Sequence, residues 1–181
     1  MHLIFRTFLV WLYRRGPRIH VHDVGRIHFR VLPTDLDVLG HMNNGVYLSI
    51  MDLGRMDLLQ RSGVWSRFAK AGFYPVIANE TISFRKSLLP WQRFTIETRI
   101  VGYDAKAVYI EQRAVVKGEV YAQAIVRGRF VRKSGGTVSL AEIIEVTGAD
   151  TSDLSVPGWV ERWATDVALP PTKAPAPSVW S

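Results

Sequence analysis

Hydrophobic and polar residues alternate from Arg26 to Leu32, with Ile27, Phe29 and Val31 on one face and Arg26, His28 and Arg30 on the other. A period of two predicts a half-buried strand, which Pro33 ends. A polar, turn-prone stretch follows from Thr34 to Gly45. From Val46 to Arg61 the pattern turns helical, with Asp52/Arg55 and Asp57/Arg61 at spacings that face each other. The apolar residues of this helix (Val46, Tyr47, Leu48, Ile50, Met51, Leu53, Met56, Leu58, Leu59) run nearly all round it. Such a helix is expected to be buried on most sides. Ser62-Gly63 stops it, and Val64–Ala71 reads as a second helix ending at Gly72.

Four further extended segments follow: Val76–Arg85, Arg93–Val101, Ala107–Lys117 and Val120–Lys133, the last two joined by a hairpin turn at Gly118-Glu119. Val138–Val146 has no decisive pattern, and Pro157–Ala164 reads as helix. One long helix that is apolar all round needs a sheet wrapped about it, and antiparallel strands on short turns supply one, giving an α+β domain. The expected organisation is a leader over 1–24, a domain over 25–147, a helical extension over 148–168 and a Pro-rich mobile tail over 169–181. A single sheet leaves edges to cover, so a homodimer or a dimer of dimers is expected.

Charge changes the picture only at one end. The net charge of the 181 residues is +7, but residues 1–30 hold six arginines against Asp23, leaving a body near neutrality. No basic stripe interleaved with aromatics runs along the body, so nucleic acid is not an expected partner. The leader carries Leu3, Ile4, Phe5, Phe8, Leu9, Val10, Trp11, Leu12 and Tyr13, then Arg14-Arg15. Its apolar run would make a helix of ~20 Å, short of a ~30 Å hydrocarbon core. It lacks the charge order and cleavage site of a secretory signal. Two readings stand: a helix packed on protein, or a peripheral membrane contact through residues 1–18. The chain has no cysteine, which removes disulfides and thiol chemistry and fits the cytoplasm. His2, His20, His22, His28 and His41 lack metal-ligand spacing, and His20-x-His22 reads as a polar loop. No metal or cofactor is expected.

The chemistry concentrates in Asp35-Leu-Asp37-Val-Leu-Gly40-His41-Met-Asn43-Asn44-Gly-Val-Tyr47. Two carboxylates, an imidazole and two amides precede the N-terminus of the buried helix, whose free N–H groups and positive dipole end suit a developing oxyanion. A nearby carboxylate could attack the same carbon or deprotonate a water that does. The same residues also suit helix capping and turn formation, with Asp37 or Asn43 as cap.

Asp37-x-x-Gly40-His41-x-Asn43-Asn44-x-x-Tyr47, after a strand and opening a long helix, resembles the hotdog-fold thioesterases. The likeness covers roughly residues 25–133, is nearest the 4-hydroxybenzoyl-CoA thioesterase-like branch and extends to the acyl-ACP thioesterases. Leu-Pro-Thr-Asp-Leu-Asp with His-Met-Asn-Asn is similar to animal members of the superfamily that carry an apolar leader. The resemblance implies a hotdog fold, an antiparallel sheet around one central helix, and hydrolysis of an acyl-CoA or similar acyl thioester to free acid and thiol. It places the catalytic aspartate at Asp37, as nucleophile or general base, and the carbonyl-polarising N–H near Asn44. His41 matches the acyl-ACP enzymes' histidine, whereas their catalytic asparagine is Leu39 here, which favours the CoA-type reading. Gly40, Asn43 and Tyr47 fall to substrate binding or the pocket wall, and Asp35 to structure. Arg85, Lys86 and Arg129 are candidate contacts for the CoA phosphates. The alternatives are a hotdog enoyl-thioester hydratase or dehydratase, disfavoured by the Asp37–His41 spacing without an intervening proline, and a non-catalytic acyl-binding, membrane-attached module.

Overall fold

The computed structural model describes residues 16–171 and 173–179. Five strands, β1 (Gly25–Arg30), β2 (Phe73–Phe84), β3 (Arg93–Tyr103), β4 (Ala107–Val116) and β5 (Glu119–Arg132), form one antiparallel sheet in the order β1-β3-β4-β5-β2. Four α-helices follow in chain order: α1 (Asn44–Arg61), α2 (Val64–Ala71), α3 (Leu140–Thr147) and α4 (Gly158–Asp166). This is the expected α+β architecture, with α1 lying against one face of the sheet.

Helix α1 is held close by the absence of a side chain at its middle. A Cβ on Gly54 would stand 2.8 Å from the Ile96 methyl, 2.9 Å from Thr98 Oγ1 and 3.2 Å from Gln112 Nε2. Backbone can therefore approach sheet there as no larger residue would allow. A polar node fixes the same spot: fully buried Gln112 donates to the Met51 carbonyl (2.7 Å) and to Thr98 Oγ1 (2.9 Å), and accepts from Arg55 Nη1 (2.6 Å). On either side of this node the core divides. Tyr47, Ile50 and Met51 pack with Phe94, Ile96 and Ala122 toward the helix N-terminus. Leu58, Val64 and Phe68 pack with Ile100, Phe130 and Ile143 toward its C-terminus.

The residues 16–24 expected as the end of a leader belong to the domain. Ile19 and Val21 pack on the second core cluster, Pro17 O accepts from Arg61 Nε (3.0 Å), and His22 Nε2 bonds Tyr103 OH (2.9 Å). The remainder of the leader, 1–15, lies outside the described residues. Among the described residues no helix is long and apolar enough to cross a membrane.

Several boundaries differ from the sequence reading. β2 starts at Phe73, so the strand runs through Pro75 on a sheet edge where the missing N–H is tolerated. Glu119 pairs with Val116, which moves the hairpin turn to Lys117-Gly118. The undecided stretch becomes α3, opened by a capping box in which Ser139 and Glu142 satisfy each other's backbone N–H groups. Helix α4, expected over Pro157–Ala164, covers the sheet face opposite α1, seating Val160 and Ala164 on Ala107, Tyr109 and Ile125. Residues 169–171 and 173–179 are exposed and without helix or strand.

Candidate functional site

The loop that carries the candidate residues is closed by its own backbone. Val31 leads into a 3-10 turn at Pro33–Asp35, where fully buried Asp35 accepts from the Leu32 N–H through Oδ2 (2.7 Å) and from the Asn43 N–H through its carbonyl (2.8 Å). Asp35 is thus a structural clamp across the loop base. Above it the Asp37 N–H donates to the His41 carbonyl (2.9 Å) and the Gly40 N–H to the Asp37 carbonyl (3.1 Å). Gly40 makes this turn possible at φ +79°, a left-handed value costly for other residues.

The Asp37 carboxylate points back into this turn. Oδ1 accepts from the Leu39 N–H (2.9 Å) and Oδ2 lies 3.2 Å from His41 Nδ1. Both side chains are partly covered, at 23% and 31% exposure. The Leu39 side chain, by contrast, stands in solvent, as does Val38.

Asn43 caps α1, its Oδ1 accepting from the Gly45 N–H (2.9 Å) while its carbonyl accepts from the Val46 N–H (3.0 Å). Neither bond uses the N–H of Asn44, the first helical residue, which sits at the positive end of an 18-residue helix. Tyr47, one turn on, is buried; burial pushes its hydroxyl pKa up, and the hydroxyl accepts from the Leu88 N–H (3.2 Å). Its ring meets Phe84 edge-on, with centroids 5.2 Å apart. Tyr47 thereby ties the 85–92 loop to the helix, and the Met42 N–H ties it to the loop before the helix by donating to the Leu88 carbonyl (2.9 Å).

These elements surround one cleft, lined by His41, Asn44, Tyr47, Phe84, Arg85, Lys86 and Ser87. His41 faces it directly, with Asp37 behind the imidazole in the turn. Arg85 and Lys86 stand at its edge, each 2.8 Å from a Glu119 oxygen. Arg129 is not part of it: Arg129 pairs with Val76, whereas Phe84, at the cleft, pairs with Ala122, seven residues back along β5, or about 23 Å. Sequence reasoning missed Phe84 and Ser87, which reach the cleft only through strand pairing remote in sequence.

The cleft therefore offers a nitrogen base braced by a carboxylate, an N–H at a helix N-terminus and two cations at the rim. Groups of these types can support attack on a carbonyl carbon and stabilise an oxyanion, and they can equally serve only to cap the helix and close the turn.

The chain is similar to proteins with related names. It is 38% identical over 137 residues to Protein THEM6 of Xenopus laevis, a match covering 70% of this chain and 66% of that protein. It is 32% identical over 164 residues to Protein THEM6 of Danio rerio, covering 84% and 81%. The chain thus spans about two thirds of the Xenopus relative's length. Among solved structures, the YbaW Probable Thioesterase from Escherichia coli superposes with a TM-score of 0.64 at 23% identity, covering 67% of this chain and 94% of that one, which shows the shared hotdog fold. The family model described as the thioesterase-like superfamily matches residues 31–176, from the end of β1 past α4, and the chain belongs to that superfamily.

Proposed function

We propose that the protein hydrolyses an acyl-CoA thioester to the free acid and CoA, with Asp37 and His41 acting as a pair. The observation that carries this reading is His41, held by Asp37 at 3.2 Å, facing the same cleft as the Asn44 end of α1. The thioester carbonyl oxygen accepts from the Asn44 N–H, where the helix dipole stabilises the charge that develops. His41 Nε2 takes a proton from water as its oxygen bonds the carbonyl carbon, while Asp37 accepts from Nδ1–H and fixes the tautomer. The tetrahedral intermediate then re-forms its carbonyl, the carbon–sulfur bond breaks, and the imidazolium returns its proton to the departing thiolate. Direct attack by Asp37 is less favoured, because its oxygens are engaged by Leu39 and His41. Arg85 and Lys86 at the rim suit the phosphates of CoA.

The Asp37–His41 contact also serves the hydratase reading, which needs such a pair beside an enoyl thioester. One experiment separates the two. Thiol release and loss of enoyl absorbance are followed over a panel of saturated and enoyl-CoA substrates, with wild type, Asp37→Asn and His41→Gln. Thiol release from saturated acyl-CoA that both variants abolish is the expected result. Loss of enoyl absorbance without thiol release would replace hydrolysis by hydration, and binding with neither reaction would leave an acyl-binding module.

The reading extends to assembly and place. β2 is an edge strand of 12 residues with Tyr74, Ile77 and Phe84 more than 40% exposed, an unpaired edge that a second copy would complete. The proposed location is the cytoplasm, with a peripheral membrane contact through residues 1–18.

A further inference from the structure

The C-terminal half of α1 borders a second, separate pocket. Its walls are almost wholly hydrocarbon, formed by Leu59, Val64, Phe68, Ile77, Ile100 and Phe130. Val21 closes one side, in the segment that His22 anchors to Tyr103. Two charged groups break this lining, Asp52 and Arg55, of which Arg55 is only 7% exposed.

Arg55 is incompletely satisfied. Nη1 donates to Gln112 Oε1 (2.6 Å) and Nη2 to Asp52 Oδ1 (3.1 Å), but the buried Nε–H meets no acceptor among the described residues. A buried N–H that has lost water and gained no partner is a rare and unfavourable arrangement. The counter-charge is also uneven, since the Asp52 side chain is 61% exposed and its charge is shared with water. Gln112, the guanidinium's other partner, is neutral. Beside the pocket there remains a buried cation with one donor to spare. Arg127 and Arg129 also carry buried Nε–H groups without an acceptor, but neither lines this pocket.

We propose that this pocket is a second ligand site, for an unbranched monocarboxylate of fatty-acid type whose chain lies along the apolar walls and whose carboxylate accepts from Arg55 Nε–H. The site is distinct from the cleft at Asn44. Eleven residues of helix separate Asn44 from Arg55, about 16 Å along the axis, so an oxygen on Arg55 is not the oxygen polarised at the helix N-terminus. The proposal stands on Arg55 and the pocket, not on the hydrolytic reading.

Calorimetric titration of the full chain with sodium decanoate and with decyltrimethylammonium tests it. The two share an alkyl length, but only decanoate carries an acceptor. Decanoate is expected to bind saturably, one per chain and at least tenfold more tightly than the cation. Arg55→Met with Gln112→Leu removes both members of the Arg55–Gln112 bond, so neither is left without the other, and should erase the tenfold preference. Leu59→Trp, which fills the pocket and leaves the polar node intact, should abolish decanoate binding. His41→Gln should bind decanoate like wild type, which separates this site from the cleft and from any failure of hydrolysis. The proposal is overturned by equal affinity for the two amphiphiles, by absence of saturable decanoate binding, or by full binding in Leu59→Trp. Loss of binding in His41→Gln would overturn it equally, by moving the ligand to the cleft.

Discussion

Asp37 and His41 are joined twice, by the 3.2 Å contact between Oδ2 and Nδ1 and by the 2.9 Å bond from the Asp37 N–H to the His41 carbonyl. Backbone and side chain therefore fix the imidazole together, and its free nitrogen is set by the turn rather than by rotamer choice. His41→Gln is expected to lower kcat by about 10²–10⁴-fold, the usual worth of a positioned acid–base group. Asp37→Asn should fall in the same range, because an amide cannot accept from Nδ1–H. Steady-state thiol release checks both, and full activity in either variant would remove the pair from the mechanism.

The contact of α1 with the sheet at Gly54 leaves no room for a branched side chain. Gly54→Val should destabilise the fold by about 1–3 kcal/mol or more, since Ile96 and the buried Thr98–Gln112 node must shift to admit it. Urea unfolding reads the change as a lower midpoint. An unchanged midpoint would mean that the helix does not seat as tightly as its spacing indicates.

Folding lowers the His22 pKa below its ordinary 6.5, chiefly through burial and secondarily through His20, with Asp150 and Asp23 opposing. The unfolded chain therefore binds this proton first as pH falls. Stability is retained above pH 6.5 and lost as pH drops below it through the lowered folded value. His22→Gln keeps a group able to bond the Tyr103 hydroxyl and removes the titration. The drop in Tm between pH 7.5 and pH 5 should be smaller in this variant than in wild type.

Ala78 sits exposed in the irregular register between Ile77 and Asn79, at the middle of the β2 edge. If two copies pair there antiparallel, Ala78→Asp brings two like charges together across the joint. Light scattering should give twice the chain mass for wild type and a single chain mass for the variant. A monomeric wild type at micromolar concentration would refute pairing at this edge.

Deleting residues 1–15 should leave a folded domain, because the deletion keeps Ile19 and Val21 on the second core cluster and the bond from Arg61 to the Pro17 carbonyl. Full-length protein is expected to bind vesicles containing anionic lipid, less so as salt rises, and the truncated protein not to bind. Equal sedimentation of the two forms with vesicles would end the membrane reading of the leader.

Periodicity made much of the fold legible: in β1, β3 and β5 the alternation and the burial agree, whereas in β2 the irregular register between Ile77 and Asn79 breaks the alternation and leaves Ile77 and Phe84 exposed. Its failures were local. Asn44-Gly45 reads as turn by composition, yet the Asn43 cap turns it into the first helical residues. The Ser139–Glu142 capping box was present in the chain as a recognisable signal for α3, beside a stretch too short for its apolar pattern to speak. Within the site, the local cluster from Asp37 to Tyr47 was legible because the loop closes on itself. Phe84 and Ser87 were not, since only the pairing of β2 with β5 and the Tyr47–Leu88 bond bring their segment to the helix end. Arg55 likewise was legible only as a partner of Asp52, because spacing along a helix says nothing about the Gln112 waiting on β4.

Helix α4 bears on how large an assembly can grow. By seating Val160 and Ala164 on Ala107, Tyr109 and Ile125, it occupies the side of the sheet that would otherwise be a flat stacking platform. Two such sheets cannot meet back to back over β4 and β5 without first displacing it. Of the assemblies expected for this chain, lateral growth through β2 meets no other strand among the described residues, while growth by stacking over β4 and β5 is obstructed by a part of the same polypeptide.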